Sequence, residues 1–302
     1  MRKQLCDALL GRAAKPEMVF LTGDLGFMAL EALQEVLGPR FINAGIAEQN
    51  MISVAAALAQ QNFEVWVYSI APFCYARPFE QIRNDITFHN LPVKLIGNGG
   101  GYGYGVMGPT HHAIDDYGVL LTLPNMSVYA PAFDDDMGAV ISRAGASSRS
   151  SYIRVGRGEQ PKDYIVPAYA AWRQLTIGSG PVVIAVGPLA GIYIGAFEKM
   201  SVKIRPNLWV VTELPIEQNP LPVNLMTQIE NSASLCVAEE HVRHGGFASE
   251  LMLYLAEKNV AVRSFRHLFA RAHHFERYGS QDFMRRQSAL DVDSMLAMLE
   301  GS

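Results

Sequence analysis

A glutamate stands where a short strand gives way to a small-residue helix: Glu48 in Phe41-Ile-Asn-Ala-Gly-Ile-Ala-Glu-Gln-Asn-Met-Ile-Ser-Val-Ala-Ala-Ala. Burying that carboxylate costs several kcal/mol unless something pairs with it. A protonatable ring nitrogen is one suitable partner, and the carboxylate would raise its basicity. The alternative is an acid that merely offsets the positive end of a helix dipole. His111 and His112 follow Gly-Pro-Thr at the end of a glycine tract. An imidazole titrating near neutrality can donate to a developing alkoxide or shuttle its proton, or it can be a loop residue without chemical duty. Tyr68, Phe73 and Tyr75 stand close together in an aromatic segment. They could hold a flat ring by stacking, or simply fill a core. Arg154 and Arg157 close the run Tyr-Ile-Arg-Val-Gly-Arg-Gly. Guanidinium forks suit phosphate oxygens, with surface salt bridging as the alternative.

Two further patterns imitate motifs. Gly103-Tyr-Gly-Val-Met-Gly108 satisfies Gly-x-Gly-x-x-Gly after a strand, but Pro-Thr-His-His follows where a dinucleotide site needs an apolar helix. The Gly97–Gly108 tract instead lets backbone approach a ligand, or forms a flexible loop. Glu239-Glu240-His241-x-x-His244 has metal-like spacing, yet Gly245-Gly246 and a helix follow, so a solvated or interface turn is expected and no metal ligand is assigned. Cys6, Cys74 and Cys236 are odd in number and widely spaced, which indicates neither a disulfide framework nor a zinc site and fits a reducing cytoplasm.

These residues need a scaffold. The chain has 302 residues, 49% hydrophobic and 18% charged, enough for two domains with real cores. A net charge of −4 argues against nucleic acid or an anionic membrane as the main partner. The N-terminal segment is too interrupted for a signal peptide, and no apolar run is long enough to span a membrane. Short β-branched or apolar runs alternate with helical patterns, which predicts an α/β fold of two doubly wound, mostly parallel-sheet domains. Strands are expected at 18–22, 41–43, 65–68, 93–97, 127–130 and 152–155, with helices near 2–14, 49–61, 73–89 and 134–144. After a loop near 158–175, strands are expected at 182–186, 208–213, 235–239 and 260–266. Helices near 189–200, 222–230, 245–258 and 281–299 separate them. The domains are therefore placed at 1–165 and 175–302.

Together the motifs resemble the transketolase and deoxyxylulose-phosphate synthase family of thiamine-diphosphate enzymes over nearly the whole chain. Thr22-Gly-Asp24-Leu25-Gly26 resembles that family's Ala-Asp-Leu segment, which assigns Asp24 and Leu25 to cofactor binding. Tyr68-Ser-Ile-Ala-Pro-Phe73-Cys-Tyr75-Ala-Arg77-Pro-Phe-Glu-Gln-Ile-Arg83 resembles its aromatic loop and following helix. The resemblance implies that Glu48 bonds the aminopyrimidine N1′ and activates the cofactor. It implies too that Phe73, or else Tyr75, stacks on that ring. Gly108-Pro-Thr-His111 is similar to the family's Gly-Pro-Thr-His segment, whose histidine faces substrate oxygens. Tyr68, Met107, His111, His112, Arg154 and Arg157 are accordingly expected to line the substrate channel.

The family marks its Mg²⁺-diphosphate domain by Gly-Asp-Gly and a later Asn, and no such motif occurs in this sequence. The chain thus resembles the carboxyl half of a split transketolase: the pyrimidine-binding domain and the transketolase C-terminal domain. The resemblance implies a separate Gly-Asp-Gly subunit holding diphosphate and Mg²⁺, in an α2β2 assembly that transfers a two-carbon unit to a carbonyl acceptor. The β subunit of a 2-oxo-acid dehydrogenase, which shares both domains, and a non-catalytic assembly subunit are the alternatives. Met28, Met107 and Asn98 replace the family's Ser, Asp and Arg at positions that read sugar or phosphate. A thioether accepts hydrogen bonds only weakly, so ordinary pentose phosphates are expected to be poor substrates.

Overall fold

Alternation of apolar side chains along short strands builds two sheets whose faces are both covered. The computed structural model describes residues 1–271 and 276–300. In chain order the strands are β1 Met18–Thr22, β2 Phe41–Asn43, β3 Glu64–Ile70, β4 Lys94–Asn98, β5 Met126–Tyr129, β6 Ser150–Val155, β7 Trp172–Gln174, β8 Val182–Val186, β9 Asn207–Val211, β10 Glu213–Leu214, β11 Leu235–Glu239 and β12 Phe265–Phe269. The first sheet has the order β10-β5-β6-β4-β3-β1-β2 and the second β12-β11-β8-β9-β7. Every pairing is parallel except β10 on β5 and β7 on β9. Val19, Leu21, Val65 and Val67 enter one core, while Met18, Phe20, Trp66 and Tyr68 enter the core on the opposite face. That alternation follows from the period of two along a strand, and each fully buried aliphatic side chain contributes roughly 1.5–3 kcal/mol.

The fold is α/β with two mostly parallel sheets, as expected, but several elements differ in detail. The expected helix at 73–89 is three pieces: Ala71–Tyr75, Phe79–Gln81 and a π-helical stretch Ile82–Thr87. Pro78 stands between the first and the second, since proline cannot donate to the preceding turn. Residues 281–299 likewise divide into Gln281–Gln287 and Val292–Glu300, with Ala289 at a φ of 57° between them. The strand expected at 260–266 lies at Phe265–Phe269, because its register is set by β11, with Leu235 opposite Phe265. β7 emerges from the stretch expected to be linker. Among the described residues, no helix is long and apolar enough to cross a membrane.

What positions the site is the shared carboxyl edge of β1, β2, β3, β4 and β6. Thr22 is in register with Asn43 and Tyr68, and Ile70 with Asn98. The loops leaving these strand ends therefore converge, which is where open α/β sheets bind ligands.

Candidate active site

Glu48 is the first residue of the helix Glu48–Gln60, which β2 feeds through Ala44–Ala47. That helix buries Met51, Ile52, Ala55, Ala56 and Ala59 along one stripe, and the packing fixes where its first turn points. The Glu48 side chain is 2% exposed and accepts a hydrogen bond from Arg77 Nη1 at 2.8 Å. The Arg77 guanidinium also lies over the Phe73 ring, 4.0 Å from its centroid. Phe73 in turn meets His111 edge-on, with centroids 5.1 Å apart and ring planes at 68°. Glu48, Phe73 and His111, from three separate helical segments, thus form one contiguous chain of contacts through Arg77. His111 is half-buried, and its Nδ1 lies 3.0 Å from Thr110 Oγ1, so the ring is oriented by its neighbour.

A buried hydroxyl accompanies the carboxylate. Ser69 Oγ has no hydrogen-bond partner among the described residues. It and Glu48 Oε1 each lie 3.5 Å from where a Cβ on Gly23 would stand. An unsatisfied hydroxyl beside a buried carboxylate is a donor and acceptor set that fits a nitrogen-containing flat ring. The Glu48 carboxylate and the Phe73 ring have the chemistry to take a ring nitrogen and a ring face of that kind. Asp24, at a φ of 58°, accepts from Asn43 Nδ2 at 2.8 Å and ties the β1 loop to the end of β2. Leu25 closes that turn on Thr22, whose Oγ1 donates to Leu25 O at 2.8 Å.

Other expected site residues are engaged elsewhere. Tyr75 is 3% exposed, its hydroxyl bonds Asp115, and burial with the charges of Asp116 and Asp115 drives its pKa upward. Its ring meets Tyr152 edge-on inside the core, with centroids 6.5 Å apart. Tyr68 sits in the core beside Phe20, burial pushing its phenol up to about 12. His112 is buried, its Nε2 bonded to Gly105 O at 3.1 Å, so it braces the glycine tract and does not face the channel.

Arg154, expected at the substrate channel, lies inside the protein at 4% exposure. Its Nε donates to Asp116 Oδ2, and its Nη2 to Ala113 O and Glu240 O, each at 2.8 Å. Burial works against its charge, but Asp116 and its neighbours hold the pKa above the ordinary arginine value. Arg157, by contrast, is exposed and makes no side-chain hydrogen bond among the described residues. Asn98 Nδ2 donates to Tyr104 Oη at 2.6 Å.

Glu239 and Glu240 are not a solvated turn. They are buried at the seam between the two sheets. Glu239 takes the Tyr117 hydroxyl, His267 Nε2 at 2.7 Å and the backbone N–H groups of Phe247 and Ala248. Glu240 takes Arg285 and, at 3.2 Å, the backbone N–H of Tyr102. His241 stacks on Tyr117 with centroids 4.1 Å apart, while His244 is exposed. The three cysteines are buried and unpaired, burial pushing Cys74 up to about 12.

The chain matches the family "Transketolase, pyrimidine binding domain" over residues 8–162, more than half its length. The chain belongs to the transketolase family. It corresponds to the carboxyl-terminal half of a split transketolase. It is 28% identical over 270 residues to a subunit of the apulose-4-phosphate transketolase of Phocaeicola vulgatus, covering 87% of this chain and 85% of that one. It is 30% identical to 1-deoxy-D-xylulose-5-phosphate synthase 2 of Geobacter sulfurreducens, covering 85% of this chain but only 41% of the relative. A solved structure named "Split gene transketolase, inactive beta4 tetramer" superposes with a TM-score of 0.82 at 25% identity, covering 99% of this chain and 96% of that one. Transketolase from Leishmania mexicana shares the fold at a TM-score of 0.78 and 14% identity, with this chain covering 45% of it.

In this transketolase-family chain two residues beside Glu48 carry little signal in the sequence. Arg77 is one basic residue in an expected helical run, and its contact with Glu48, 29 residues away, is set only by the fold. Ser69 had no signal beyond its place at the end of a strand.

Proposed function

We propose that the chain is the carboxyl-terminal subunit of a split transketolase, which transfers a two-carbon unit to a carbonyl acceptor only when a second subunit holds the cofactor's diphosphate and Mg²⁺. The observation that carries this reading is the line Glu48–Arg77–Phe73–His111 along the carboxyl edge of the first sheet. Thiamine diphosphate, when bound, supplies a nucleophilic carbon and a sink for the electron pair of the broken C–C bond. The chain's own residues do the rest. Glu48 holds a proton on the pyrimidine nitrogen, favouring the tautomer that activates the cofactor. Phe73 fixes the ring by its face and leaves the ring edges free. His111 donates to, and takes back from, the substrate oxygen at the channel side of Phe73.

Partner dependence is supported by the relatives. One is named as a transketolase subunit, and another is described as an inactive β4 tetramer of a split-gene transketolase. We read this chain in the same way: alone it self-associates without turnover, and with its partner it forms α2β2. Exposed apolar side chains ring the site: Phe27 at 84%, Met28 at 83%, Ile46 at 78%, Val106 at 65% and Met107 at 55%. They lie in the loops leaving β1, β2 and β4, and a rim of this kind suits a subunit contact. Arg157 fits an anionic group on the substrate, in keeping with sugar phosphates in the relatives' names.

Calorimetry with thiamine diphosphate and Mg²⁺ tests the reading, on the chain alone and on the complex co-purified with a Gly-Asp-Gly subunit. Tight binding and turnover are expected only in the complex. Stoichiometric binding with turnover by the chain alone would overturn the split assignment.

A further inference from the structure

We propose that Arg77 occupies the pyrimidine's place in the partner-free subunit and must swing out before the cofactor can enter. The inference rests on the reading of Glu48 and Phe73 as pyrimidine contacts. A guanidinium is a flat cation, and here it bonds the Glu48 carboxylate at 2.8 Å while lying 4.0 Å above the Phe73 ring. Those are the two contacts a protonated aminopyrimidine would make: a hydrogen bond to the same carboxylate and a stack on the same ring. A second flat group cannot share that face of Phe73 at van der Waals distance.

The arrangement solves a problem of the free subunit, in which Glu48 would otherwise be a buried charge without a partner. It also provides an exit. The Arg77 side chain is 41% exposed against 2% for Glu48, and a single N–H joins it to the carboxylate. Half-exposed ion pairs are weakly held, so a ligand with better geometry can displace this one. As it leaves it gives up the bond to the buried carboxylate and the stack on Phe73, the two contacts that the pyrimidine then makes in its place. Cofactor affinity is lowered by the share of molecules in which Arg77 occupies the site.

The test is calorimetry with thiamine diphosphate and Mg²⁺ on the co-purified complex, in wild type, Arg77→Met, Glu48→Gln and the double variant. Arg77→Met should bind about fivefold more tightly. Expressed alone, the same variant should melt at lower temperature, since Glu48 has lost its partner. Arg77→Lys, which keeps the charge but not the flat fork, should fall between the two and guards against a folding defect. With Glu48→Gln, which should weaken binding, the gain from Arg77→Met should disappear. If Glu48→Gln weakens binding while Arg77→Met leaves it unchanged or reduces it, the displacement idea is wrong and the site assignment stands. If Glu48→Gln has no effect on affinity, the site assignment fails, and this inference with it.

Discussion

The backbone N–H of Tyr102 donates to the carboxylate of Glu240 at 3.2 Å, a bond between residues 138 apart in the chain. Glu240 Oε2 would stand only 2.1 Å from a Cβ on Gly101, whose φ is 63°, so the glycine is what lets the carboxylate reach the loop. Arg285 and Gln281 hold Glu240 from the helix Gln281–Gln287. The second sheet's elements thereby brace the tract that carries His111.

Glu240→Gln keeps the shape of the side chain but leaves the buried Arg285 with only Glu159 and, at 3.7 Å, Asp282 as charged partners among the described residues, both more exposed than Glu240. A loss of about 1–3 kcal/mol in urea unfolding is expected, as for removing one member of a buried charged hydrogen bond. In the complex, kcat should fall while cofactor affinity stays within twofold of wild type, because the change reaches the site through the glycine tract and not through Glu48. Unaltered stability would show that the bond does not brace the loop.

Phe73 and Tyr75 are two residues apart, yet Phe73 meets Arg77 and His111 whereas Tyr75 is buried against Asp115 and Tyr152. Phe73→Ala should weaken thiamine-diphosphate binding by the complex roughly tenfold, the upper end of what an aromatic pair contributes beyond area burial. Tyr75→Phe loses only the bond to Asp115 and should cost about 1 kcal/mol of stability with affinity unchanged. Parallel titrations and melts distinguish them. Weakened binding in Tyr75→Phe would return Tyr75 to the site.

Specificity is tested at the rim. Met107 is exposed in the loop leaving β4, beside the tract that carries His111, and one added hydrogen bond to a substrate hydroxyl contributes about 0.5–1.5 kcal/mol. Met107→Asp should therefore raise kcat/KM for 2-hydroxyaldehyde acceptors about threefold to tenfold. Xylulose 5-phosphate and ribose 5-phosphate should be poor substrates of the wild-type complex relative to a less hydroxylated pair. Pentose phosphates turning over as well as any other tested pair would make the methionines incidental.

Acid stability should depend on Glu64, at the start of β3. Arg12 grips it with two bonds of 2.6 Å, Trp66 Nε1 adds one of 2.9 Å, and Lys15 stands 3.1 Å away. Burial opposes ionisation there, but Arg12, Trp66 and Lys15 together lower the pKa to about 2. A depressed carboxylate stabilises the fold above its unfolded value, and that stabilisation is lost as pH falls from about 4.5 towards about 2. Glu64→Gln should abolish this part of the pH dependence and lower stability at neutral pH. A variant whose melting temperature falls across that window as steeply as wild type's would assign the effect to other carboxylates.

The sequence made the scaffold legible where periodicity was strong. The strands β1, β2, β8 and β11 lie where their apolar runs stand, and the glycine tract leaves β4 at the carboxyl edge as its position suggested. Less legible were elements whose form depends on partners distant in sequence. β12 is shifted because β11 sets its register, and the helical run after Phe73 is broken at Pro78. For the site, residue type alone could not separate Phe73 from Tyr75, or Arg157 from Arg154. The difference lies in burial by Asp115, Asp116 and Tyr152, which become neighbours only in the folded chain.

β10 has a consequence for how this polypeptide can be divided. Its two residues come from beyond the stretch joining the halves, yet they pair antiparallel with β5 in the first sheet, Glu213 opposite Tyr129 and Leu214 opposite Val128. Arg143 adds an ion pair to Glu213 at 2.9 Å. A recombinant fragment ending near residue 165 would therefore leave the β5 margin bare, and naked strand margins recruit other chains. Gene fission between these two modules would create a sticky product, whereas fission that leaves both on one polypeptide keeps that margin sealed.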